Sequence, residues 1–243
     1  MSAPQLRAGR RVYAVGDIHG RADLLQALLE LIHADLRHFP VEQAELICLG
    51  DYISRGPDSA AVLDILMEQA RRPSLAVTCL KGNHEDAVLK FLDGDLQMGR
   101  TWLQYGGRTV LTSYGVQPVS SELPDEELLQ LRPALAGAMP AKHQDFLRSL
   151  ALYAERDDYF FVHAGVRPER SLAEQAGHDL MWIRQEFLTY TEPFERVVVH
   201  GHSPAALPEV RRNRINVDTG AYASSILTSV VLTGSERRFL ATV

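Results

Sequence analysis

Five short apolar segments in this chain each run directly into a cluster of glycine and polar residues. The clusters are, in order, Gly16-Asp17-Ile18-His19-Gly20, Gly50-Asp51-Tyr52-Ile53-Ser54-Arg55-Gly56, Gly82-Asn83-His84-Glu85, His163-Ala164-Gly165 and Gly201-His202-Ser203-Pro204. One such cluster alone would fit a turn or a helix N-cap equally well, because Asp and Asn are favoured in both. Five in order, each after a predicted strand, favour a fold in which the carboxyl ends of several strands meet at one ligand site.

Helical patterns separate the first three apolar segments. Leucine and isoleucine recur at helical spacing over residues 22–39, and shorter helical patterns cover 59–70 and 85–92. The predicted strands cover 12–15, 45–49, 75–80, 159–162, 197–200 and 214–217. Alternation of strands and helices at this spacing is typical of an α/β fold with parallel strands and right-handed crossovers.

The middle and the end of the chain follow other patterns. Residues 98–150 are helical and loop-like, and we interpret them as a helical insertion within one domain that covers residues 1–243. Near the end, apolar segments at 226–232 and 238–242 flank Thr233-Gly234-Ser235-Glu236. This arrangement predicts an antiparallel hairpin.

The residue types in the five clusters indicate the ligand that would bind there. Carboxylate oxygens, an amide oxygen and neutral imidazoles suit Mn, Fe or Zn, and no thiolate takes part. Six such side chains exceed the needs of one tetrahedral ion but suit two ions that share a carboxylate. Of the two neighbouring histidines, His202 is the predicted ligand, whereas His200 lies on the strand side of Gly201 and is expected to pack.

Charge and length narrow the classes of partner. The formal net charge of −6 over 243 residues argues against non-specific binding to nucleic acid or to an acidic membrane. The short apolar run after Arg10 and Arg11 does not resemble a signal peptide, and no run reaches the length of a membrane span. We therefore expect a cytoplasmic protein that binds neither nucleic acid nor membrane, and the oligomeric state stays open.

Taken together, the three early clusters and the two late histidines resemble the phosphoprotein phosphatase branch of the calcineurin-like metallophosphoesterases. The resemblance extends from Gly16 to about Gly220 and is closest to the short bacterial serine/threonine phosphatases. It implies an α/β fold of the calcineurin-like type, a β-sandwich of mixed sheets flanked by helices, with the helical insertion beside it.

The resemblance also implies a role for each matching residue. Asp17 and His19 match ligands of a first metal, Asp51 matches the bridging carboxylate, and Asn83, His163 and His202 match ligands of a second metal. Arg55 and Arg184 match the arginines that bind the substrate phosphate, and His84 matches the histidine that protonates the leaving oxygen. These roles suit the chemistry of the side chains, because guanidinium binds phosphate in a bidentate way and imidazole can act as an acid near neutral pH.

The implied activity is a metal-dependent phosphatase with two divalent ions, foremost Mn²⁺, with Fe or Zn as alternatives. It would hydrolyse phosphomonoesters by in-line attack of a metal-bridging hydroxide. Substrates would be phosphorylated proteins, carrying phosphoserine, phosphothreonine or phosphotyrosine, or small phosphoesters.

Ser54 departs from the family pattern, which has an aspartate that holds the histidine matching His84. Serine cannot stabilise an imidazolium by charge, so we expect a weaker acid and a preference for good leaving groups. Symmetrical dinucleoside polyphosphate hydrolases of the family also lack that aspartate and carry an Arg-Gly-Pro run like Arg55-Gly56-Pro57, which makes that activity an alternative. A metal-bound regulator without catalysis is a further alternative.

A few neighbouring residues carry weaker expectations. Glu85 and Asp86 are expected to favour the helix N-terminus, although either could replace the missing aspartate. Asp218 is expected to form a turn or to orient a ligand. Trp102 and Tyr105 are expected to lie in the core of the insertion, with contact to substrate as the alternative.

Overall fold

The apolar run before the first polar cluster forms a strand whose two faces are both covered. The computed structural model describes residues 3–117 and 120–242, and in it strand β1 (Arg10–Val15) lies at the centre of a five-stranded sheet. Val12 and Ala14 face one apolar cluster, whereas Tyr13 and Val15 face another. Since successive side chains point to opposite faces, a strand covered on both sides has to be apolar throughout.

The strands of the described residues form two sheets. In chain order they are β1, β2 (Gln43–Cys48), β3 (Ala76–Cys79), β4 (Tyr153–Arg156), β5 (Tyr159–Val162), β6 (Val197–His200), β7 (Glu209–Val210), β8 (Arg214–Asn216), β9 (Thr228–Thr233) and β10 (Glu236–Ala241). The first sheet has the order β10-β9-β1-β2-β3 and the second has the order β4-β5-β6-β8-β7.

Both sheets are mixed. Strands β1, β2 and β3 are parallel, as the sequence predicts, and β9 and β10 form the predicted antiparallel hairpin. The sequence patterns did not predict β4 or β7, nor that the hairpin adds antiparallel to β1. The fold is therefore the expected α/β sandwich of mixed sheets flanked by helices.

Helices cover the outer faces of the sandwich. They are α1 (Ala22–His38), α2 (Ser59–Gln69), α3 (Asn83–Leu92), α4 (Leu96–Trp102), α5 (Arg108–Ser113), α6 (Asp125–Ala138), α7 (Ala141–Ser149), α8 (Gly177–Trp182), α9 (Gln185–Leu188) and α10 (Ala221–Ser224). Helix α1 packs Leu25, Leu28 and Ile32 in the cluster that contains Tyr13, and α9 packs Phe187 against the second sheet. None of the helices in residues 3–117 and 120–242 combines the length and apolarity that a bilayer span requires.

The middle of the chain packs beside the first sheet as helices α4 to α7. A kink at Leu103–Gly107, where Tyr105 and Gly106 have non-helical backbone angles, joins α4 to α5. On α7, His143 binds the hydroxyl of Tyr114 through Nδ1 (2.8 Å) and the carboxylate of Asp64 on α2 through Nε2 (3.1 Å). These contacts fix the insertion to a helix of the sandwich, and the boundaries of the single domain stay a prediction.

The core between the two sheets is closed to solvent and contains large apolar side chains. Phe161 on β5 is fully buried there, so Phe161→Ala removes a large side chain from a closed interior. We expect the free energy of unfolding to fall by about 3–5 kcal/mol. Urea denaturation measures this, with Leu207→Ala as the control, because Leu207 is 75% exposed and its truncation should cost less than about 0.5 kcal/mol. Equal losses for the two variants would contradict the prediction.

Candidate metal centre

The six predicted ligands lie together at the carboxyl ends of the strands. Asp17 and His19 follow β1, Asp51 follows β2, Asn83 opens α3 after β3, His163 follows β5 and His202 follows β6. All six are buried, with side chains that come from both sheets. The crevice between the sheets thus collects the polar residues that the sequence places far apart.

Hydrogen bonds fix the orientation of the carboxylates. The backbone N–H of His84 donates to Oδ1 of Asp51 (3.0 Å), and the backbone N–H of His202 donates to Oδ1 of Asp17 (3.0 Å). On the other side, Oδ2 of Asp51 lies 3.4 Å from Nε2 of His19, and Oδ2 of Asp17 lies 3.9 Å from the same atom. Each carboxylate therefore keeps one oxygen directed toward an imidazole nitrogen.

The hydrogen bonds of two histidines identify which ring nitrogen is free. Nδ1 of His19 lies 3.0 Å from the carbonyl of Ile53, and Nδ1 of His163 lies 3.0 Å from the carbonyl of Leu49. A carbonyl oxygen only accepts, so both Nδ1 atoms carry the hydrogen and both Nε2 atoms present a lone pair. This is the arrangement in which a backbone carbonyl fixes the tautomer of a ligating histidine.

The donor set fits divalent cations. Nε2 of His163 lies 3.0 Å from Oδ1 of Asn83, so two acceptor atoms face one another, and it lies 3.2 Å from Nδ1 of His202. A shared cation satisfies such lone pairs. Among the described residues, two groups could each hold an ion, His19 with Asp51 and His84, and Asp51 with His163 and His202. Asp51 belongs to both groups, as a bridging ligand would, whereas His84 stands in the first group where the family resemblance places Asp17.

Burial and charge repulsion shift the pKa values of these groups. Burial and the neighbouring Asp218 raise the pKa of Asp17 well above its usual value, and burial together with Glu85 does the same for Asp51. Burial lowers the pKa of His19 to about 3 and that of His163 to about 3. The imidazoles are therefore neutral, and the buried carboxylates ionise only with difficulty. A bound cation would reverse this by stabilising the ionised carboxylates.

Several ligands also have unusual backbone conformations. His19, Asp51 and His202 have positive φ angles of 46°, 51° and 62°, and Ser54 and Arg55 follow with 74° and 68°. Non-glycine residues in this region cost of order 1–3 kcal/mol each and are concentrated at functional sites. Gly50 (φ +112°) is required for a second reason, because a Cβ there would lie 2.6 Å from the backbone N of Gly82 and 2.8 Å from Nδ1 of His163.

Glu85 lies at the N-terminus of α3, as expected, and it also holds the cluster that contains Asp51. Its buried carboxylate accepts hydrogen bonds from the backbone N–H groups of Asp51, Tyr52 and Gly82 at 2.8–2.9 Å. Burial raises its pKa to about 7 in spite of these bonds. Glu85 therefore holds the loop after β2 and is not a partner of His84, while Asp86 accepts from Nε1 of Trp182 (3.2 Å). The expectation that either could replace the missing aspartate is wrong for this geometry.

Ser54 has a different partner from the one that its position in the motif suggests. Its side chain accepts a hydrogen bond from Nε1 of Trp102 (3.0 Å) and is fully buried. Nδ1 of His84 is buried as well and has no hydrogen-bond partner among the described residues. Burial and nearby positive groups hold the pKa of His84 well below its usual value. His84 thus has no partner at Nδ1, while its Nε2 lies 3.9 Å from Oδ2 of Asp51, one of the predicted metal ligands.

The predicted phosphate-binding arginines reach the same cavity. A cavity of about 300 Å³ is lined by Arg55 and Arg184, by metal-site residues and by aromatic side chains. The guanidinium of Arg55 lies 4.5 Å from the centre of the Tyr222 ring, whose edge also contacts His19. Tyr222 was not predicted, because its contact with Arg55 spans most of the chain.

The remaining expectations have mixed outcomes. His200 is fully buried on β6 and contacts Arg214, so it packs as expected. Asp218 accepts a hydrogen bond from the backbone of Gly220 (2.9 Å) in a turn beside Asp17. Trp102 is 2% exposed and lies in the core, but Tyr105 is 66% exposed at the cavity, so its assignment to the core is wrong.

The chain is similar to known phosphoesterases in sequence. A family model described as calcineurin-like phosphoesterase matches residues 10–227. A symmetrical bis(5'-nucleosyl)-tetraphosphatase of Nitrosomonas europaea is 31% identical over 164 residues, 68% of this chain and 47% of that protein. Serine/threonine-protein phosphatase 2 of Escherichia coli is 41% identical over 99 residues, 40% of this chain and 39% of that protein. The chain thus spans less than half the length of either relative.

Solved structures agree with the fold. A crystal structure of a candidate diadenosine tetraphosphatase superposes with a TM-score of 0.66 at 19% identity, over 99% of this chain and 97% of that chain. At this identity the likeness concerns the fold alone. It confirms the sandwich of two mixed sheets with helices on the outer faces.

Proposed function

The chain belongs to the calcineurin-like phosphoesterase family and is a phosphoester hydrolase, and from that premise we propose that it cleaves phosphomonoesters with good leaving groups, above all aryl phosphates. Phosphotyrosine is the protein-borne member of this class. Among phosphoprotein substrates, the chemistry of the leaving oxygen would thus favour phosphotyrosine over phosphoserine and phosphothreonine.

The observation that carries this proposal is the isolation of His84. Its Nδ1 has no partner in the described part of the chain, and the Ser54 hydroxyl, at the position of the family's aspartate, is bound to Trp102. The carboxylate near its other nitrogen, that of Asp51 at 3.9 Å, would be engaged by metal. An imidazole with no carboxylate at Nδ1 is a poor proton donor, so alkyl leaving groups such as serine would depart slowly. A phenolate needs much less protonation, and aryl esters would therefore be cleaved best.

Within this proposal the other residues have defined roles. Asp17, His19 and Asp51 would hold one divalent ion, and Asp51, Asn83, His163 and His202 would hold a second, Mn²⁺ being our first choice. When bound, the two ions would lower the pKa of a water molecule and neutralise charge on the phosphoryl group. Arg55 and Arg184 would bind phosphoryl oxygens, and the ring of Tyr222 supports the face of Arg55 while leaving its edge donors available.

A second candidate is the hydrolysis of symmetrical dinucleoside tetraphosphates. The relative from Nitrosomonas europaea, with 31% identity over 68% of this chain, favours it. A phosphoanhydride also has a good leaving group, so the isolated His84 fits this substrate too. Hydrolysis of phosphoserine or phosphothreonine is supported by the relative from Escherichia coli but would need more help from His84 than the geometry offers.

A comparison of substrates tests the proposal. With Mn²⁺ present, we expect kcat/KM for p-nitrophenyl phosphate and for a phosphotyrosine peptide to exceed that for a phosphoserine peptide by at least about tenfold, because only the latter depends on general acid catalysis. Diadenosine tetraphosphate is included in the same assay, and a higher kcat/KM for it would favour the second candidate. Absence of metal-dependent turnover on all substrates, with metal shown to be bound, would leave the inactive regulator as the remaining alternative.

A further inference from the structure

We propose that the cavity beside His84 is a subsite for the aromatic ring of the leaving group, and this inference rests on the proposed function. The cavity measures about 300 Å³, at the lower end of the size range of ligand sites. Met98, Trp102, Tyr105 and Trp182 form its apolar side, and the metal-site residues with the two arginines form the other. The same cavity could therefore accommodate a phosphoryl group and an aromatic ring attached to it.

Neither indole N–H is free to bind a ligand, and Trp102, which is 2% exposed, adds little surface of its own to the cavity. Nε1 of Trp102 donates to Ser54 (3.0 Å), and Nε1 of Trp182 donates to Asp86 (3.2 Å). With both N–H groups used inside the protein, the wall recognises a ligand by stacking and apolar contact. Trp182 is held further by stacking on His178, with ring centres 6.1 Å apart.

The position of the cavity selects aryl esters over nucleotides. His84 lines the cavity and is the group closest to a departing oxygen in the proposed mechanism. Because His84 and the apolar residues line the same small cavity, the ring that fits it would be attached directly to the ester oxygen. In a dinucleoside tetraphosphate, phosphates and a ribose separate the base from the scissile bond, and the base would fall outside so small a cavity.

Tyr105 is the residue through which the subsite can be tested. It lies in the kink between α4 and α5 at the cavity and is 66% exposed, so its replacement should not disturb the core. Trp102 is unsuitable, because it is buried and binds Ser54. Thr101 lines the cavity from an exposed position on α4 and offers a second variant, Thr101→Trp, that fills the space.

The experiment measures binding of phenylphosphonate and methylphosphonate to the Mn²⁺-loaded protein by calorimetry, with no turnover involved. We expect phenylphosphonate to bind about tenfold more tightly, from apolar contact and stacking of the ring. Tyr105→Ala should weaken phenylphosphonate binding by about three- to tenfold and leave methylphosphonate binding unchanged. Tyr105→Phe keeps the ring and should keep the preference for phenylphosphonate. Thr101→Trp should abolish the preference. Phe39→Ala, which truncates an aromatic side chain of similar exposure outside the cavity, is the control.

Each possible result separates the subsite from the proposed function. Equal affinity for the two phosphonates in the unaltered protein, or equal weakening of both by Tyr105→Ala, would overturn the subsite even if p-nitrophenyl phosphate is hydrolysed. A clear phenyl preference without any turnover would keep the subsite and reject the proposed function. A peptide that carries a non-hydrolysable phosphonate analogue of phosphotyrosine and binds more tightly than phenylphosphonate would assign the ring to a protein side chain, and equal binding would assign it to a small aryl phosphate.

Discussion

Asp51→Asn is expected to abolish nearly all metal-dependent hydrolysis. Asp51 takes part in both groups of candidate ligands, so loss of its charge weakens two sites at once. Replacing an outer partner of a metal ligand already costs about 10–100-fold in affinity or activity, so loss of a shared ligand should cost more than about 100-fold. The measurement is kcat/KM for p-nitrophenyl phosphate, together with the metal content of the purified variant.

The asparagine variant is a fair test, because it preserves the shape of the loop. Its amide oxygen can still accept the hydrogen bond that the backbone N–H of His84 gives to Asp51. Removal of metal by a chelator should reproduce the loss in the unaltered protein, and added Mn²⁺ should restore activity there but not in the variant. A variant that keeps two bound ions and full activity would rule out the bridging role.

Ser54→Asp should raise the activity toward alkyl phosphates much more than that toward aryl phosphates. The carboxylate would stabilise the protonated form of His84, whose Nδ1 now has no partner among the described residues. We expect kcat/KM to rise by about 100-fold for a phosphoserine peptide and by less than about tenfold for p-nitrophenyl phosphate, within the range of general acid catalysis. Aspartate also tolerates the positive φ at this position, 74°, better than most residues do.

Ser54→Asn is the matched control for this prediction. Asparagine has nearly the same size as aspartate and can accept the hydrogen bond from Trp102, but it has no charge. We expect it to leave the ratio of alkyl to aryl activity unchanged. Equal gains on both substrates for Ser54→Asp, or equal gains for Asp and Asn, would show that His84 does not limit the reaction.

The sequence predicted the parts of the fold and of the site that depend on local signals. The apolar run 12–15 and the cluster at Asp17 are adjacent in the chain, so their relation is visible without a structure. Helix α1 ends within one residue of its predicted end, because the leucine pattern and Pro40 are both local. The predicted ligands lie close together because several strands of this kind end at the same edge of the fold. Their roles as ligands stay predictions.

Contacts between distant residues were not predictable in the same way. The bond from Trp102 to Ser54 spans 48 residues and depends on how the insertion packs. The strand β9 adds to β1 from the far end of the chain, which no periodicity indicates. Helix α3 begins at Asn83, two residues before its predicted start, because Gly82 is its N-cap and the carboxylate of Glu85 accepts from the backbone N–H of Gly82.

The contacts between the insertion and the loop after β2 have a consequence for how such enzymes diversify. Trp102 binds Ser54, and the backbone N–H of Arg55 donates to the carbonyl of Gly106 (3.0 Å), so two residues of the insertion support the loop that carries Arg55, together with Glu85. A recombinant that exchanged the insertion alone would therefore lose this support of the arginine along with the old cavity wall. We therefore expect a transplanted insertion to restore phosphate binding only when the loop residues that contact it are exchanged with it.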